Sequence, residues 1–354
     1  MTSLTAYIIR RLLLLVLVIL GVTVLIFAIT MMFPAEIRAY MYIRNAEQAR
    51  PEVIPRVIEN FRLNDPFYLQ YGRWMASLLQ GNLGWSYTSG QPVSTAISSR
   101  WVYTFQIVMF AAPIIILVGI YLGVQSAIHR NGFIDHICRI LSIVGWSLPS
   151  FWLGLILISV FSGQLRWVSI GPLSQEGINH VANTALFTRY TGVSVFDGVL
   201  NAITRADISQ IGITLDALAH VILPVIVIVT IDVALLIRVM RSSMLEALNK
   251  PYIITAKAKG LSKNVVFYKH ARRNALIPVA TLSGMLVAGL LGGLTITETV
   301  FAYGGLGSWA ARAALSTDIP AVLGYAILTA LIFVIANLIV DILYAYIDPR
   351  IRLD

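Results

Sequence analysis

The sequence predicts an all-α fold: a polytopic membrane protein with six transmembrane helices, a folded external segment after the first, and a cytoplasmic loop between the fourth and fifth. Three observations predict it. Hydrophobic residues make up 58% of the 354 positions and charged residues 12%, against roughly half and a quarter in soluble domains. Six apolar stretches, approximately 12–33, 102–128, 140–161, 217–237, 278–300 and 321–347, each reach the about 20 residues that a helix needs to cross a bilayer core, and all are far too long for barrel strands. All five lysines fall between Lys250 and Lys269, and a run of such charge cannot sit in hydrocarbon.

The first unit, 1–33, holds the N-terminus and the first helix. Arg10 and Arg11 before an apolar run also fit a signal peptide. Against that, 12–33 is about twice the usual length of a signal core, and Phe33-Pro34-Ala35 is a poor small-residue cleavage site. Residues 34–101 read as a folded external cap. Its first half is arginine-rich, its second half aromatic (Phe67, Tyr68, Tyr71, Trp74, Trp85, Tyr87), and Val53, Ile54, Val57, Ile58 and Phe61 stand at helical spacing. The transmembrane core, 102–347, carries helices 2 to 6. Gly119-x-x-x-Gly123 and Gly289-x-x-x-Gly293 are general signals of close helix packing. Cys138, the single cysteine, sits where the third span begins; it permits no intrachain disulfide and reads as a small apolar filler. An external loop, 162–216, leads to the fourth span, the weakest of the six because His220, Pro224 and Asp232 interrupt it. Loop 238–277, the fifth and sixth spans and a cytoplasmic tail, 348–354, complete the chain.

Six crossings put both termini on one side. Segments 1–11, 129–139, 238–277 and 348–354 carry 15 Lys+Arg and 4 Asp+Glu, whereas 34–101, 162–216 and 301–320 carry 11 and 10. The positive-inside rule makes the first set cytoplasmic and with it both ends. Orientation and anionic headgroups account for the net charge of +9 and the pI near 9.7 without nucleic acid. The chain has no Gly-Lys dipeptide, hence no GxxxxGK[ST] phosphate loop, and any ATP hydrolysis must come from a partner. It has no HExxH or GxSxG motif, and His129, His136, His180, His220 and His270 are scattered singly. Neither catalysis nor a bound cofactor or metal is expected of this chain. His220 reads as a hydrogen-bonded interface residue.

Loop 238–277 has its own punctuation. Lys250-Pro251 suits a helix start, 252–259 reads as two turns, and Gly260 stands where a left-handed residue would end them. Ser262 is placed to cap a second helix through Val265, Val266 and Phe267 to Ala275, and Asn274-Ala275-Leu276-Ile277-Pro278 to turn the chain back into the membrane. The result is basic throughout and small at Ala256, Ala258 and Gly260, where another protein's backbone could approach. A solvated positive loop is the plain alternative.

Tyr252-x-x-Thr255-Ala256-Lys257-Ala258-Lys259-Gly260-Leu261-Ser262, followed by His270-Ala271-Arg272-Arg273-Asn274-Ala275-Leu276-Ile277-Pro278, resembles the "EAA" loop of ABC-importer permeases, and more narrowly their dipeptide/oligopeptide/nickel branch. Asn64-Asp65-Pro66, Gly81-Asn82-Leu83-Gly84, Pro149-Ser150-Phe151-Trp152-x-Gly154, His220-x-x-Leu223-Pro224, Glu298-Thr299-Val300-Phe301 and Asp348-Pro349-Arg350 follow in that branch's order. The glutamate and first alanine of the general loop are Ile254 and Thr255 here. Asn82 stands where the family often has aspartate.

The resemblance implies a division of labour. A second homologous permease subunit would complete the pathway, and one or two nucleotide-binding ATPase subunits, carrying the ATP and Mg, would bind the cytoplasmic loops. An extracellular solute-binding protein would deliver oligopeptides or similarly sized solutes, with oligosaccharides or a nickel complex as alternatives. Helix 251–260 would be the coupling helix, seated in the ATPase through Tyr252, Thr255, Ala256, Lys257, Ala258, Lys259, Gly260 and Leu261. The location implied is a prokaryotic plasma or inner membrane.

Three acids, Asp232, Glu298 and Asp341, fall inside the predicted spans. Each costs about 2.5–3.5 kcal/mol at a helix centre by insertion scales and should have a partner. Hydrogen bonding is the expected role of Glu298 and Asp341, and Asp232 is the candidate for the pathway wall. A stand-alone secondary transporter or channel would instead use such acids as a proton relay, but it usually shows inverted repeats, and none is found.

Overall fold

The computed structural model describes residues 4–43, 45, 47 and 50–347; the tail 348–354, with Asp348-Pro349-Arg350, and residues 1–3 lie outside the described residues. The chain is helical almost throughout. Helices α1 (Leu4–Thr30), α2 (Ala35–Ala39), α3 (Ile54–Asn60) and α4 (Phe67–Leu79) precede a two-residue antiparallel bridge, β1 (Trp85–Ser86) with β2 (Gln91–Pro92). Then come α5 (Val93–Ile128), α6 (Phe133–Ser147), α7 (Ser150–Leu157), α8 (Gln175–Ala182), α9 (Ser194–Thr204), α10 (Ile211–Leu248), α11 (Pro251–Ala258), α12 (Arg272–Gly292), α13 (Thr295–Val300), α14 (Leu306–Leu315) and α15 (Ile319–Ile347). Among the described residues, five helical stretches are long and apolar enough to cross a membrane, and the pair α6–α7 makes a sixth if counted as one broken span.

Three expectations need correction, and the fifth span carries an interruption. The third span is not one helix: α6 and α7 meet at 95°. Pro149 explains the break, since a proline ring bars its predecessor from helical backbone, and Leu148 is extended at ψ 124°. The fourth span, expected to be the weakest, is the longest helix at 38 residues. It runs unbroken through Pro224 because α5, α6, α9 and α12 enclose it, and neighbouring helices stabilise a prolyl kink site. No turn lies at 274–278. A π-helical stretch, Val265–Ala271, passes directly into α12, which carries Pro278 in its interior. The fifth span is interrupted at Gly293, whose φ of +130° brings the chain against Gly307: a Cβ there would stand 2.7 Å from the Gly307 Cα. The span resumes as α13 and runs on to Val300, so Glu298 lies near its end.

Packing follows the small residues. Cβ atoms at Gly119 and Gly123 of α5 would lie 2.6 and 2.5 Å from Leu236 and Met240 of α10, so the two axes approach closely there. Gly289 has open space around it, so the Gly289/Gly293 pair is no packing motif. The main core joins Ile107, Ala111 and Ile115 of α5 to Val227, Leu236 and Met240 of α10. Cys138 lies in it, 2% exposed. A second core under the cap joins Phe27 of α1 to Ile54, Val57, Leu63 and Trp74. Arg38 is held there by the carbonyls of Phe33 and Leu63, each at 3.0 Å, and by Gln70. Asn82 accepts from the Gly84 amide at 3.0 Å and donates to the Ser77 hydroxyl at 3.1 Å, and an ionised aspartate lacks the donor for the second bond.

The end opposite the lysines is closed by buried carboxylates. Glu298 accepts from the Thr104 hydroxyl (2.6 Å) and the amides of Ser308 (2.7 Å) and Leu294 (3.1 Å). Asp318 accepts from Ser86 (2.7 Å) and from the Thr88 hydroxyl and amide (2.6 and 3.1 Å), tying β1 to the start of α15. Loop 162–216 folds over α10. His220 links the two: its Nδ1 is 2.7 Å from the Asp216 carbonyl and its Nε2 is 2.8 Å from the Ser169 hydroxyl.

Candidate functional site

The corner between α10 and α12 is built from α11. Lys250 enters it extended (φ −75°, ψ 149°), Pro251 occupies the first turn, and Lys259 and Gly260 end it. Gly260 has φ +74° and nothing within 4 Å of where a Cβ would be. Its left-handed backbone is what requires glycine, while the space beside it stays open.

The eight residues of α11 divide into two faces. Ile253 and Ala256, three apart and so on one stripe, are 0% and 6% exposed and join the main core with Met244, Ala247, Val266 and Ala275. Tyr252, Ile254, Thr255, Lys257, Ala258, Lys259, Gly260 and Leu261 are exposed. Of the eight residues expected to touch a partner, seven thus face outward. Ala256 does not: it anchors the helix from beneath, where a larger side chain would lift α11 off its seat. The sequence reading missed Ile254, which is 64% exposed and the most prominent apolar side chain of the corner. Its signal was available, because Ile253 and Ala256 fix the buried stripe and Ile254 stands off it.

Several contacts hold the corner rigid. The Lys250 ammonium is 2.8 Å from the Glu246 carboxylate, and that hydrogen bond holds the lysine above its ordinary pKa. Asn274 Nδ2 donates to the Tyr252 hydroxyl at 3.0 Å, and Gln125 Nε2 donates to the Tyr268 hydroxyl at 3.0 Å. The Arg272 guanidinium lies 5.5 Å from the Tyr268 ring centre. Deeper, Asp135 of α6 is 0% exposed and accepts from one edge of the Arg241 guanidinium of α10 with both oxygens, Nε at 2.7 Å and Nη2 at 2.9 Å. It also accepts from the Ser126 hydroxyl at 2.6 Å and the Asn131 amide at 2.9 Å. That clasp, unanticipated from sequence, joins α5, α6 and α10 below the corner.

Asp232 is half-buried on α10, and among the described residues none hydrogen-bonds it. It is not brought together with the corner; the two share one helix. Among the described residues, no cluster of histidine, cysteine and acidic side chains could hold a metal.

Comparison with known proteins decides what such a chain is. Residues 115–353 match the family model described as binding-protein-dependent transport system inner membrane component, and 4–108 match the model of its N-terminal part. The chain belongs to this family. The permease is similar over its whole length to the dipeptide transport system permease protein DppB of Alkalihalophilus pseudofirmus, 38% identical over 98% of this chain and 99% of the relative. It is 36% identical to the oligopeptide transport system permease protein AppB of Bacillus subtilis, over 98% and 99%. It is also 36% identical to DppB of Escherichia coli K12, over 98% of each. The permease is thus an inner-membrane, non-catalytic component of a transport system that depends on a binding protein.

Proposed function

We propose that the permease is one of two homologous membrane subunits lining the pathway of an ATP-driven importer of peptides or similarly sized solutes, with α11 as its coupling helix. The peptide assignment is supported by the printed functions of the relatives, which are permeases for dipeptides and oligopeptides. The coupling assignment is carried by one observation. An eight-residue helix is seated by Ile253 and Ala256 and presents Ile254, Thr255 and Lys257 to solvent. A short helix with one anchored and one free face, ended by a left-handed glycine, suits docking into a groove of another protein.

In this reading the nucleotide-binding subunits, one or two in kind, hold ATP and Mg and grip the outer face of α11. Their closure on ATP moves the corner, and the bracing by Glu246, Asn274 and Gln125 passes that motion to α10, α12 and α5. The positive-inside rule puts the corner and both termini in the cytoplasm. Residues 34–101 then form the external cap that meets the solute-binding protein, with 102–347 as the transmembrane core, 162–216 its external loop and 238–277 its coupling loop. Asp232 would line the pathway, where an unpartnered carboxylate suits the amino group of a peptide.

The test is co-purification from native membranes followed by uptake in proteoliposomes. A second permease and ATPase subunits should be recovered, and labelled dipeptide should accumulate only with ATP and binding protein. Flux by the isolated chain without ATP would overturn the reading.

A further inference from the structure

We propose that the permease carries an anionic-phospholipid site in the groove between α6 and α10, beside the Asp135–Arg241 clasp. The groove has a volume of about 360 Å³ and is lined by Arg139, Arg238, Arg241 and Ser242 on its polar side and by Ile143 and Ile237 on its apolar side.

The three guanidinium groups are not equivalent. Arg241 is spoken for by Asp135. Arg139 is 3.7 Å from that carboxylate, and its buried Nε has no hydrogen-bond partner; its Nη2 is 2.8 Å from the His136 ring. Arg238 is exposed, and among the described residues its contacts are a long 3.5 Å approach to the Ser142 carbonyl and the Trp146 ring at 5.9 Å. Arg238 therefore brings unused donors to the groove and Arg139 adds a second charge beside them, with one buried carboxylate against three positive charges. A phosphodiester satisfies them: planar N–H donors suit its oxygens, and its charge offsets the excess.

The surroundings decide in favour of a lipid as the source of that phosphate. Outward from the groove, α6 exposes Ile140 (60%), Ile143 (62%) and Trp146 (51%). An apolar face with a tryptophan among arginines is what an acyl chain and its headgroup region meet at a membrane surface. The site lies at the lysine-bearing end of the bundle, one helical segment from the corner, so a headgroup there would brace α6 on α10 through the same helices that carry the clasp.

The test uses the purified, delipidated transporter complex in detergent. Thermal unfolding is followed during titration with short-chain phosphatidylglycerol, short-chain phosphatidylcholine or inorganic phosphate. Phosphatidylglycerol should raise the unfolding temperature saturably, with half-effect at least tenfold below that of phosphatidylcholine, and inorganic phosphate should have no effect in that range. Arg139→Gln/Arg238→Gln should weaken the response at least tenfold. Ser242→Glu, at an exposed position and so safe for folding, should do the same if the double variant fails to assemble. Equal response to the two lipids, or unchanged titrations in the variants, would overturn the proposal. Inorganic phosphate matching phosphatidylglycerol would make this a free-anion site instead. Efficient cross-linking of Ser242→Cys to another subunit would give the groove to a protein neighbour and likewise overturn it.

Discussion

Ile253 and Ile254 are adjacent and chemically identical, yet should fail in different ways when cut back to alanine. Ile253 is fully buried and Ile254 is 64% exposed. Truncating a fully buried isoleucine costs about 2–5 kcal/mol through lost transfer energy and the cavity left behind. Ile253→Ala should therefore lower the unfolding temperature of the permease itself. Complete burial of an isoleucine side chain contributes about 1.5–3 kcal/mol. With nearly two-thirds of Ile254 still in water, about 1–2 kcal/mol remains for a partner to capture. Ile254→Ala should leave unfolding unchanged and weaken the ATPase by about 5- to 30-fold in Kd. Thermal unfolding of the permease in detergent and titration with labelled ATPase subunit into permease nanodiscs measure the two effects separately. Unchanged ATPase affinity in Ile254→Ala, with Ile253→Ala losing affinity but no stability, would refute the two-faced description of α11.

Three further outcomes are expected. Gly260→Val must hold a β-branched residue at φ +74°, a strain of at least about 1–2 kcal/mol. With no atom to clash, the subunits should still assemble while ATP hydrolysis runs without uptake, as assays of both in proteoliposomes would reveal. Arg241→Met leaves the fully buried Asp135 with only the more distant Arg139, at 3.7 Å, for a cation and should cost up to about 3–5 kcal/mol in a detergent unfolding assay, with at least half regained on adding Asp135→Asn. Asp232→Asn should keep assembly and stability intact and raise the KM for peptide uptake; an unchanged KM would remove Asp232 from the pathway.

The elements written in composition were legible and the bends were not. Apolar length located the five long spans and the bent pair α6–α7, and Pro251 with Gly260 bounded α11, because those residues act through their own backbone. The 95° break at Pro149 went unread although the proline was in view: an apolar run has one hydropathy whether straight or folded. His220, Pro224 and Asp232 made the central helix look weakest for the complementary reason. Local propensity cannot register that α5, α6, α9 and α12 enclose α10. The outward face of α11 was read as a motif, not as a surface, so buried Ala256 was included and Ile254 left out. The Asp135–Arg241 clasp spans 106 positions, and no local pattern announces it.

The buried acids at the far end of the bundle bear on how the chain enters the membrane. Glu298, Asp318 and Asp197 are at most 1% exposed. Among the described residues none has a cationic partner; amides and hydroxyls hold them, as the Thr191 and Gly192 amides hold Asp197 at 2.7 and 2.9 Å. Neutral donors can stabilise a carboxylate as a counter-ion would. In the proposed orientation, an arginine for each acid would have put three more positive charges on the side that must be translocated. By using dipoles instead, the fold adds no cation at that end, and in the proposed orientation the excess of positive charge on the other side survives the packing of the finished protein.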